Sequence, residues 1–322
     1  MSNIIRQKRI LASIDISKGS GLEIGPLTAP IISKEEANIY YLDHVSQEEL
    51  KKKYKNEPVN LDEIVPIDFA LNGKSLTDTV KGKKFDYVVA SHVIEHLPDV
   101  VSWLEETASI LKNGGILTLA IPDKRFTFDI TRRTSSVNEV IGAYIEKLER
   151  PTSFMMYDFA RECSVETDNT KAWNNEGYFK KAERRWPLSK VLDMCRKNIE
   201  GEYVDCHCFT FTPYSFIEII RELTVQNLVP YELASMTETQ ENELEFYVSL
   251  RKVSKTKPIK ARLKKIPNLA NDEDKREQVL ELKAEVARHR KEIEDLKKST
   301  SWKVTYPLRY ASDTIKKRKQ AV

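Results

Sequence analysis

Acidic side chains and a glycine turn occur at the ends of successive apolar runs near the start of the chain. Glu23 and Gly25 lie in the run Gly21–Pro26, Asp43 follows the second run, and Asp68 follows the third. Ligands of open α/β sheets bind at the carboxyl ends of the strands. A carboxylate there can accept hydrogen bonds from ribose hydroxyls or from an adenine amino group. These four residues therefore predict one pocket for an adenosyl compound, with Asp43 at the ribose and Asp68 at the adenine.

The glycine content of this turn limits the adenosyl compounds that fit it. Gly25 is followed by Pro26 and then by Leu-Thr-Ala-Pro, so the pattern G-x-G-x-x-G is missing. A dinucleotide needs that glycine cradle and a helix N-terminus for its pyrophosphate. S-adenosyl-L-methionine has no phosphate, and one glycine lets the backbone approach it closely. The turn therefore favours S-adenosyl-L-methionine over NAD, with Ser91 and His92, which follow the fourth apolar run, near its methionine end.

Two residues are candidates for the general base that methyl transfer to a hydroxyl group would need. His207 is the first, because histidine titrates near neutral pH and this one lies just before a predicted helix. Asp123 is the second, with Asp129 nearby, because it follows the fifth apolar run on the side where an acceptor would bind. For His207, the alternative is a buried structural histidine between Cys206 and Cys208.

Basic and aromatic residues after the fifth apolar run are candidates for binding the acceptor. Guanidinium groups bind phosphates and carboxylates through two parallel hydrogen bonds. The sequence therefore predicts that an anionic acceptor contacts Lys124, Arg125 and Arg132, and a solvated basic face is the alternative. Stacking on a sugar ring, or packing within the protein, is expected of Trp173, Tyr178 and Trp186.

Two short patterns have the composition of a metal site. Residues 92–96, His-Val-Ile-Glu-His, match the H-x-x-E-H pattern of zinc peptidases. They follow an apolar run directly and precede Pro98, which disfavours the helix that such a site requires. In the Cys-His-Cys segment at 206–208, alternate side chains would point to opposite faces, so one ion could not bind all three. No metal site is assigned from the sequence.

The apolar runs alternate with helical patterns, which is typical of parallel β-α-β units. Strands are predicted at 21–24, 39–42, 63–67, 85–90, 116–121, 228–234 and 244–251, and helices at 47–54, 100–111 and 213–223. The last helix has Thr212 as its cap and Pro213 at its first position. Only about a dozen residues separate Gly25 from the second strand, so the first helix should be short or missing. The predicted fold class is α/β, with a Rossmann-like, seven-stranded, mostly parallel sheet.

Composition divides the chain into four parts. Residues 1–252 are the α/β domain, with an insertion after strand five at about 123–205, and residues 253–270 are a basic linker. Apolar residues at alternating steps of three and four predict a coiled coil at 271–299, for which a single solvated helix is the alternative. The tail at 300–322 mixes aromatic residues and cations, as interfacial membrane segments do, and a solvated tail is the alternative.

The distribution of charge limits the classes of partner. Residues 251–322 contain 22 Lys+Arg and 10 Asp+Glu, so 52 − 22 = 30 basic and 49 − 10 = 39 acidic residues remain in 1–250. An acidic body disfavours nucleic acid, whereas the basic tail suits peripheral contact with an anionic membrane.

Four cysteines, no signal-peptide pattern and no apolar run of ~20 residues predict a cytoplasmic protein, peripheral at the inner membrane face through its tail. The coiled coil suits a second copy of the chain or a glycosyltransferase partner.

The chain resembles the class I S-adenosylmethionine-dependent methyltransferase superfamily in three motifs. They are Glu-Ile-Gly at 23–25, Phe-Asp-Tyr-Val-Val-Ala-Ser-His-Val-Ile-Glu-His-Leu at 85–97, and Leu-Lys-Asn-Gly-Gly at 111–115. The likeness covers about 18–124 strongly and 205–252 moderately, and it implies a seven-stranded sheet with S-adenosyl-L-methionine as cofactor. The second glycine of the family is replaced by the stretch 26–30, which leaves open how the methionine carboxylate is held.

A narrower resemblance is to methyltransferase modules of bacterial surface-polysaccharide (O-antigen type) biosynthesis. It rests on the segments 25–30, 122–129, 207–213 and 301–309. This resemblance implies O-methylation of a saccharide or glycolipid acceptor. The alternative is a catalytically degenerate scaffold or regulatory module that assembles through the coiled coil, because the glycine turn is altered.

Overall fold

The computed structural model describes residues 3–165, 168–174 and 182–267, and the single positions Asp295 and Lys298. The chain divides into two units, Met1–Pro267 and Asn268–Val322. The sheet and the site belong to the first unit. The coiled coil predicted at 271–299 and the tail at 300–322 lie outside the described residues, apart from those two positions.

Seven strands of the first unit form one sheet. They are β1 (Gly21–Ile24), β2 (Ile39–Asp43), β3 (Phe69–Ala70), β4 (Phe85–Ser91), β5 (Leu111–Pro122), β6 (Tyr231–Thr237) and β7 (Glu245–Lys252). Their order across the sheet is β3-β2-β1-β4-β5-β7-β6. The pairs among β1 to β5 are parallel, and β7 is antiparallel to both β5 and β6. The predicted Rossmann-like α/β sheet of seven strands is confirmed.

The helices of the described residues lie before the first strand, between strands and, in the case of the last helix, after β7. They are α1 (Asn3–Ile10), α2 (Gln47–Lys53), α3 (Leu76–Thr79), α4 (Val100–Ile110), α5 (Val137–Glu146), α6 (Ser153–Glu162), α7 (Asn169–Asn174), α8 (Leu188–Glu200), α9 (Pro213–Val225) and α10 (Ile259–Leu263). Thr212 caps α9 through its side chain, which accepts a hydrogen bond from the backbone N–H of Ser215, as predicted. Residues 25–38 contain no helix, which confirms that the first helix of the fold is missing here.

Two strands begin later than the sequence indicated, and each begins beyond a proline. The strand predicted at 63–67 is wrong: β3 consists of Phe69 and Ala70, and Leu61–Glu63 forms a 3-10 turn instead. Pro66 has no N–H to donate to a neighbouring strand, so pairing starts beyond it. For the same reason β6 starts at Tyr231, after Pro230, instead of at 228.

The described part of the predicted basic linker is packed against the sheet domain. Helix α10 contacts α9 and β6. Its Arg262 is fully buried and donates hydrogen bonds to the backbone carbonyls of Tyr231 and Val229 and to Asn227 Oδ1. A guanidinium with five donors can satisfy several carbonyls at once, which explains why it tolerates burial here. The first unit accordingly extends to Pro267.

Helices α5 to α8 follow β5 and precede α9, within the region 123–205 where an insertion was predicted. Asp123, which follows β5, forms an isolated parallel bridge with Phe211, which precedes α9. None of the helices in the described part of the chain has the length and apolar character that a bilayer span requires.

Candidate active site

Three residues predicted to contact the cofactor share one edge of the sheet. In β1, Ile24 pairs with Leu42 of β2 and with Ala90 of β4. The residues that follow these three are Gly25, Asp43 and Ser91. Because the three strands are parallel, their carboxyl ends meet, and this edge is where ligands of such sheets bind.

The turn at Gly25 fits the close approach of a ligand. Gly25 has φ +72°, and a Cβ atom added there would lie 3.1 Å from Val93 Cγ2. Its N–H donates to the carbonyl of Leu42, which ties the turn to β2, and Pro26 beside it is buried. A side chain at position 25 would therefore be both strained and crowded, as expected of a turn that shapes a binding site.

Glu23 holds the loop that follows this turn. Its buried carboxylate accepts hydrogen bonds from the backbone N–H groups of Ile31 (2.7 Å) and Ile32 (3.1 Å). Burial raises the pKa of Glu23 to about 7, although the two N–H groups favour its charged form. The sheet edge at Gly25, Asp43 and Ser91 is called here the cofactor edge. Glu23 shapes this edge by fixing the loop 25–32, because both of its carboxylate oxygens are bound to that loop.

Asp43 ends β2 at the edge and is 7% exposed. Its Oδ1 accepts a hydrogen bond from the backbone N–H of His44 (2.7 Å) and lies 2.5 Å from His44 Nδ1. The His44 ring stacks on Tyr203, with ring centroids 6.1 Å apart. The loop that contains Tyr203 thus passes over the end of β2, beside the carboxylate predicted to bind ribose.

Asp68 does not reach the edge, which corrects its predicted position beside Asp43. Asp43 pairs with Ala70, so Asp68 lies two residues, or about 7 Å of strand, before that point. Its carboxylate accepts hydrogen bonds from the backbone N–H of Tyr41 (2.8 Å) and from Lys34 Nζ (2.8 Å). The cause is the late start of β3, and the contact with adenine assigned to Asp68 loses its geometric basis.

Ser91 and His92 are joined to helix α1 and to β7. Arg6 of α1 donates to Ser91 Oγ (2.6 Å) and to Glu245 Oε1 (2.5 Å). His92, at φ +54°, has Nε2 2.8 Å from Glu245 Oε2. The sequence indicated neither Arg6 nor Glu245, since they lie far from β4 along the chain and only the fold joins them.

Beyond this edge lies a cluster of two histidines and one carboxylate, Glu95, His96 and His207, called here the His-Glu cluster. The rings of His96 and His207 meet edge to face, with centroids 4.6 Å apart. Glu95 Oε1 lies 3.8 Å from His96 Nε2. The carboxylate is 1% exposed, and neither oxygen has a hydrogen-bond partner among the described residues.

His207 is held by an aspartate and an arginine. Its Nδ1 lies 2.5 Å from Asp129 Oδ2, and its carbonyl accepts a hydrogen bond from the Arg132 guanidinium (3.0 Å). Burial opposes ionisation of Asp129, but His207 and Arg132 outweigh it and keep the pKa of Asp129 below its usual range. An ionised aspartate on Nδ1 leaves Nε2 of His207 as the atom that can accept a proton.

Asp123 has a structural role, which corrects its assignment as a base. It is fully buried, and its carboxylate accepts hydrogen bonds from Arg125 Nε (2.9 Å) and Thr239 Oγ1 (2.7 Å). It also caps the 3-10 turn Lys124–Phe126. The oxygens of the Asp123 carboxylate are therefore bound by groups of the protein itself and are not available as a base for a methyl acceptor.

The basic residues predicted to bind an anionic acceptor are mostly bound to protein groups. Arg132 is 3% exposed and pairs with Asp129 (2.8 Å) and Asp158 (2.9 Å), and Arg125 pairs with Asp123. Lys124 Nζ lies 3.4 Å from the carbonyl of Ile130, and burial lowers its pKa. Arg132 therefore positions His207, because its donors are bound to Asp129, to the partly exposed Asp158 and to the carbonyl of His207.

The zinc-peptidase pattern is not formed. Residues Ile94–His96 make a 3-10 turn instead of an α-helix, and His92 is bound to Glu245. Trp173 stacks on Phe126, with centroids 4.1 Å apart, so it packs inside the protein. Tyr178 lies outside the described residues.

A cavity of about 430 Å³ is lined by Arg132 and by Cys208, the residue next to His207. Its walls combine charged and polar groups with apolar ones, among them Arg133, Ser135, Glu139, Asp158 and Phe154. A second cavity, of about 220 Å³, is lined by His96, Tyr203 and Asp205. His96 of the cluster thus lines the second cavity, and the first cavity reaches the residue next to His207.

The Arg6–Glu245 pair predicts how stability changes in acid. Burial opposes ionisation of Glu245, but hydrogen bonds from His92 and Arg6 outweigh it and lower the pKa of Glu245 from 4.5 to about 2. A carboxyl whose folded pKa is depressed stabilises the fold above its unfolded pKa, and this contribution is lost as pH falls from about 4.5 toward 2. In Arg6→Met, the free energy of unfolding, measured by urea denaturation, should therefore decrease less than in the wild type as pH falls from about 4.5 toward 2.

Arg9→Met is the matched control, because Arg9 lies on the same helix and pairs with Glu243 instead. Equal slopes for the wild type and Arg6→Met between pH 4.5 and 2 would show that Arg6 does not set the ionisation of Glu245.

Comparison with known proteins gives one family match. A family model described as a methyltransferase domain matches residues 6–176, more than half of the 322-residue chain. No curated protein sequence matches the chain.

Similar solved structures share little sequence with the chain. The CcbJ methyltransferase from Streptomyces caelestis is 11% identical, over 79% of this chain and 97% of that one, with a TM-score of 0.40. An S-adenosylmethionine dependent methyltransferase from Mesorhizobium loti is 12% identical, over 76% and 95%, with a TM-score of 0.38. Magnesium protoporphyrin IX methyltransferase from Synechocystis, with bound SAH, is 9% identical, over 78% and 82%, with a TM-score of 0.34.

Proposed function

The chain belongs to the methyltransferase domain family and its cofactor is S-adenosyl-L-methionine, and from this premise we propose that it methylates a hydroxyl group of a saccharide. The residues at the cofactor edge suit that cofactor. Gly25 leaves room that a Cβ would fill, and Asp43 offers a buried carboxylate at the end of β2. Neither the glycine cradle nor the helix N-terminus that a pyrophosphate needs occurs in residues 25–38.

The observation that carries the choice of a hydroxyl acceptor is the pair His207–Asp129. S-adenosyl-L-methionine supplies a methyl group already activated on a sulfonium, so the protein has to align the acceptor and remove its proton. A base works within ~3 Å of that proton. His207 Nε2 is suited to this task, because Asp129 binds Nδ1 and stabilises the charge that the imidazole gains.

The saccharide is favoured by the chemistry of the neighbouring cavity. A sugar presents hydroxyl groups in several directions together with apolar C–H faces. Donors and acceptors such as Arg133, Ser135, Glu139 and Asp158, with the ring of Phe154, offer both kinds of contact. The volume of about 430 Å³ falls within the ~300–1,000 Å³ range of small-molecule sites.

The test is a methylation assay with the full chain. The protein is incubated with S-adenosyl-L-methionine and with separate pools of saccharides, phenols, amines and carboxylic acids, and products are analysed by mass spectrometry. We expect one added methyl group in the saccharide pool, at an oxygen. Methylation confined to another pool would contradict the proposal.

A non-catalytic scaffold is the second candidate function, and the same samples distinguish it. A ligand that binds only the folded state raises the melting temperature. A chain that is stabilised by S-adenosylhomocysteine but consumes the donor with none of the pools would act as a scaffold. The partners proposed for its C-terminal part remain a second copy of the chain or a glycosyltransferase at the coiled coil, and the inner membrane face at the tail.

A further inference from the structure

We propose that the His-Glu cluster is a binding site for a divalent transition-metal ion, held by a Glu95 carboxylate oxygen, His96 Nε2 and His207 Nε2. One possible ligand atom from each of the three residues lies within 4.8 Å of the others, although the residues come from two segments more than a hundred residues apart. The site differs from the zinc-peptidase pattern, which would use His92 in place of His207.

The distances suit a site that closes on an ion. Ligand atoms 2.0–2.2 Å from a tetrahedral ion are about 3.4 Å apart. Glu95 Oε1 and His96 Nε2 are already 3.8 Å apart. The widest separation in the set, 4.8 Å or less, needs a movement of about 1 Å, which small side-chain rotations provide.

The buried carboxylate of Glu95 is an independent indication of a missing ligand. Burial of a charged group is costly unless the group is paired or coordinates a metal. Glu95 is 1% exposed, and neither of its oxygens has a hydrogen-bond partner in the described part of the chain. Its Oε1 lies 3.8 Å from His96 Nε2 and 3.9 Å from His92 Nδ1, and the His92 ring is held by Glu245 through Nε2. A cation bound by Glu95, His96 and His207 would compensate the buried carboxylate.

Carboxylates behind both histidines orient them as ligands. His96 Nδ1 lies 3.0 Å from Asp205 Oδ1, and His207 Nδ1 lies 2.5 Å from Asp129 Oδ2. Metal-binding histidines nearly always donate their second ring N–H to such a partner, which fixes the ring and the tautomer. In both residues this leaves Nε2 as the ring nitrogen that can coordinate an ion.

The ligand types select the class of ion. Two imidazole nitrogens and one carboxylate oxygen with open positions are typical of Zn²⁺ and Fe²⁺ sites. Mg²⁺ and Ca²⁺ prefer sites made of oxygen alone.

Metal binding and proton transfer use the same atom of His207. A bound ion would occupy the Nε2 that takes the acceptor proton in the proposed function, so the metal-bound form and the form that acts as base are alternative states of the cluster.

Direct metal binding tests the inference without using turnover. The full chain is treated with a chelator, dialysed, and titrated with Zn²⁺ in competition with a chromophoric chelator, and Co²⁺ is used as a spectroscopic probe. We expect one equivalent of Zn²⁺ and a Co²⁺ spectrum without thiolate bands. Glu95→Gln and His96→Ala should each weaken Zn²⁺ binding by about 100-fold or more, and Asp205→Asn by ~10–100-fold.

His92→Asn is the matched control, and its Zn²⁺ affinity should stay within about threefold of wild type. Stabilisation by S-adenosylhomocysteine, measured on the same samples, shows that each variant is folded, and His96→Gln replaces any His96→Ala protein that is not. Failure of the wild type to bind Zn²⁺ would overturn the inference. Equal affinity of Glu95→Gln and wild type, or loss of affinity only in His92→Asn, would overturn it as well.

Discussion

Replacement of His207 by asparagine is expected to lower kcat by roughly 10²–10⁴-fold, while S-adenosylhomocysteine affinity stays nearly unchanged. Because the side chain of His207 is bound to Asp129 and its carbonyl to Arg132, its loss should affect the proton transfer and leave the residues at Gly25 and Asp43 unchanged. Steady-state kinetics with the saccharide that serves as methyl acceptor would measure kcat and KM separately. The assays are run after chelator treatment, so that bound ions do not confound the result.

Asp129→Asn provides a second measurement of the same unit. It keeps the shape of the side chain but removes the charge that supports protonation of His207 and that pairs with Arg132. It should therefore lower kcat, with the effects of the double variant far from additive, as occurs when two residues act as one unit. A His207→Asn enzyme with kcat within threefold of wild type would remove His207 from the role of base.

The second large effect is expected from Asp43→Ala, which should weaken S-adenosylhomocysteine binding by roughly 10²–10³-fold. A hydrogen bond to a charged group contributes about 1.5–3 kcal/mol, and one carboxylate can accept two from a ribose. Asp43 stands in register with Gly25 and Ser91 at the cofactor edge. Isothermal titration calorimetry with S-adenosylhomocysteine measures this change directly.

Asp68→Asn is the matched control, because it alters another aspartate of the same region. The Asp68 carboxylate is bound to Lys34 and to the backbone of Tyr41, two residues before the edge. Its replacement should change the affinity by no more than about threefold. Comparable losses in Asp43→Ala and Asp68→Asn would restore the adenine contact that the sequence suggested.

Local patterns were sufficient to predict most of the sheet. Apolar runs bounded by Gly, Pro and Asp predicted β1, β2, β4 and β7 to within a few residues. The cap residue Thr212 and the proline at the first helical position, Pro213, predicted the start of α9. The exceptions, β3 and β6, follow Pro66 and Pro230. Proline has no backbone N–H to donate to a neighbouring strand. The strand boundary is therefore set by this missing hydrogen bond and not by the start of the apolar run.

The cofactor edge was predictable for a similar reason. Gly25 directly follows β1, Asp43 and Ser91 are the last residues of β2 and β4, and parallel strands bring their carboxyl ends together. The sequence by itself thus determined the α/β fold class and the cofactor, and it predicted the sheet edge that we propose binds that cofactor. Asp68 was misplaced because the inference depended on a strand boundary, which is the least certain part of such a prediction.

Only the tertiary structure decided which charged groups are available for chemistry. Asp123 and Arg132 have the residue types of a base and an anion binder, but Arg125, Asp129 and Asp158 occupy them. Conversely, Glu95 and His96 meet His207, and Arg6 meets Glu245, only because the sheet brings distant segments together. The free energy of a buried charge depends on the groups around it, and those neighbours are set by packing rather than by spacing along the chain.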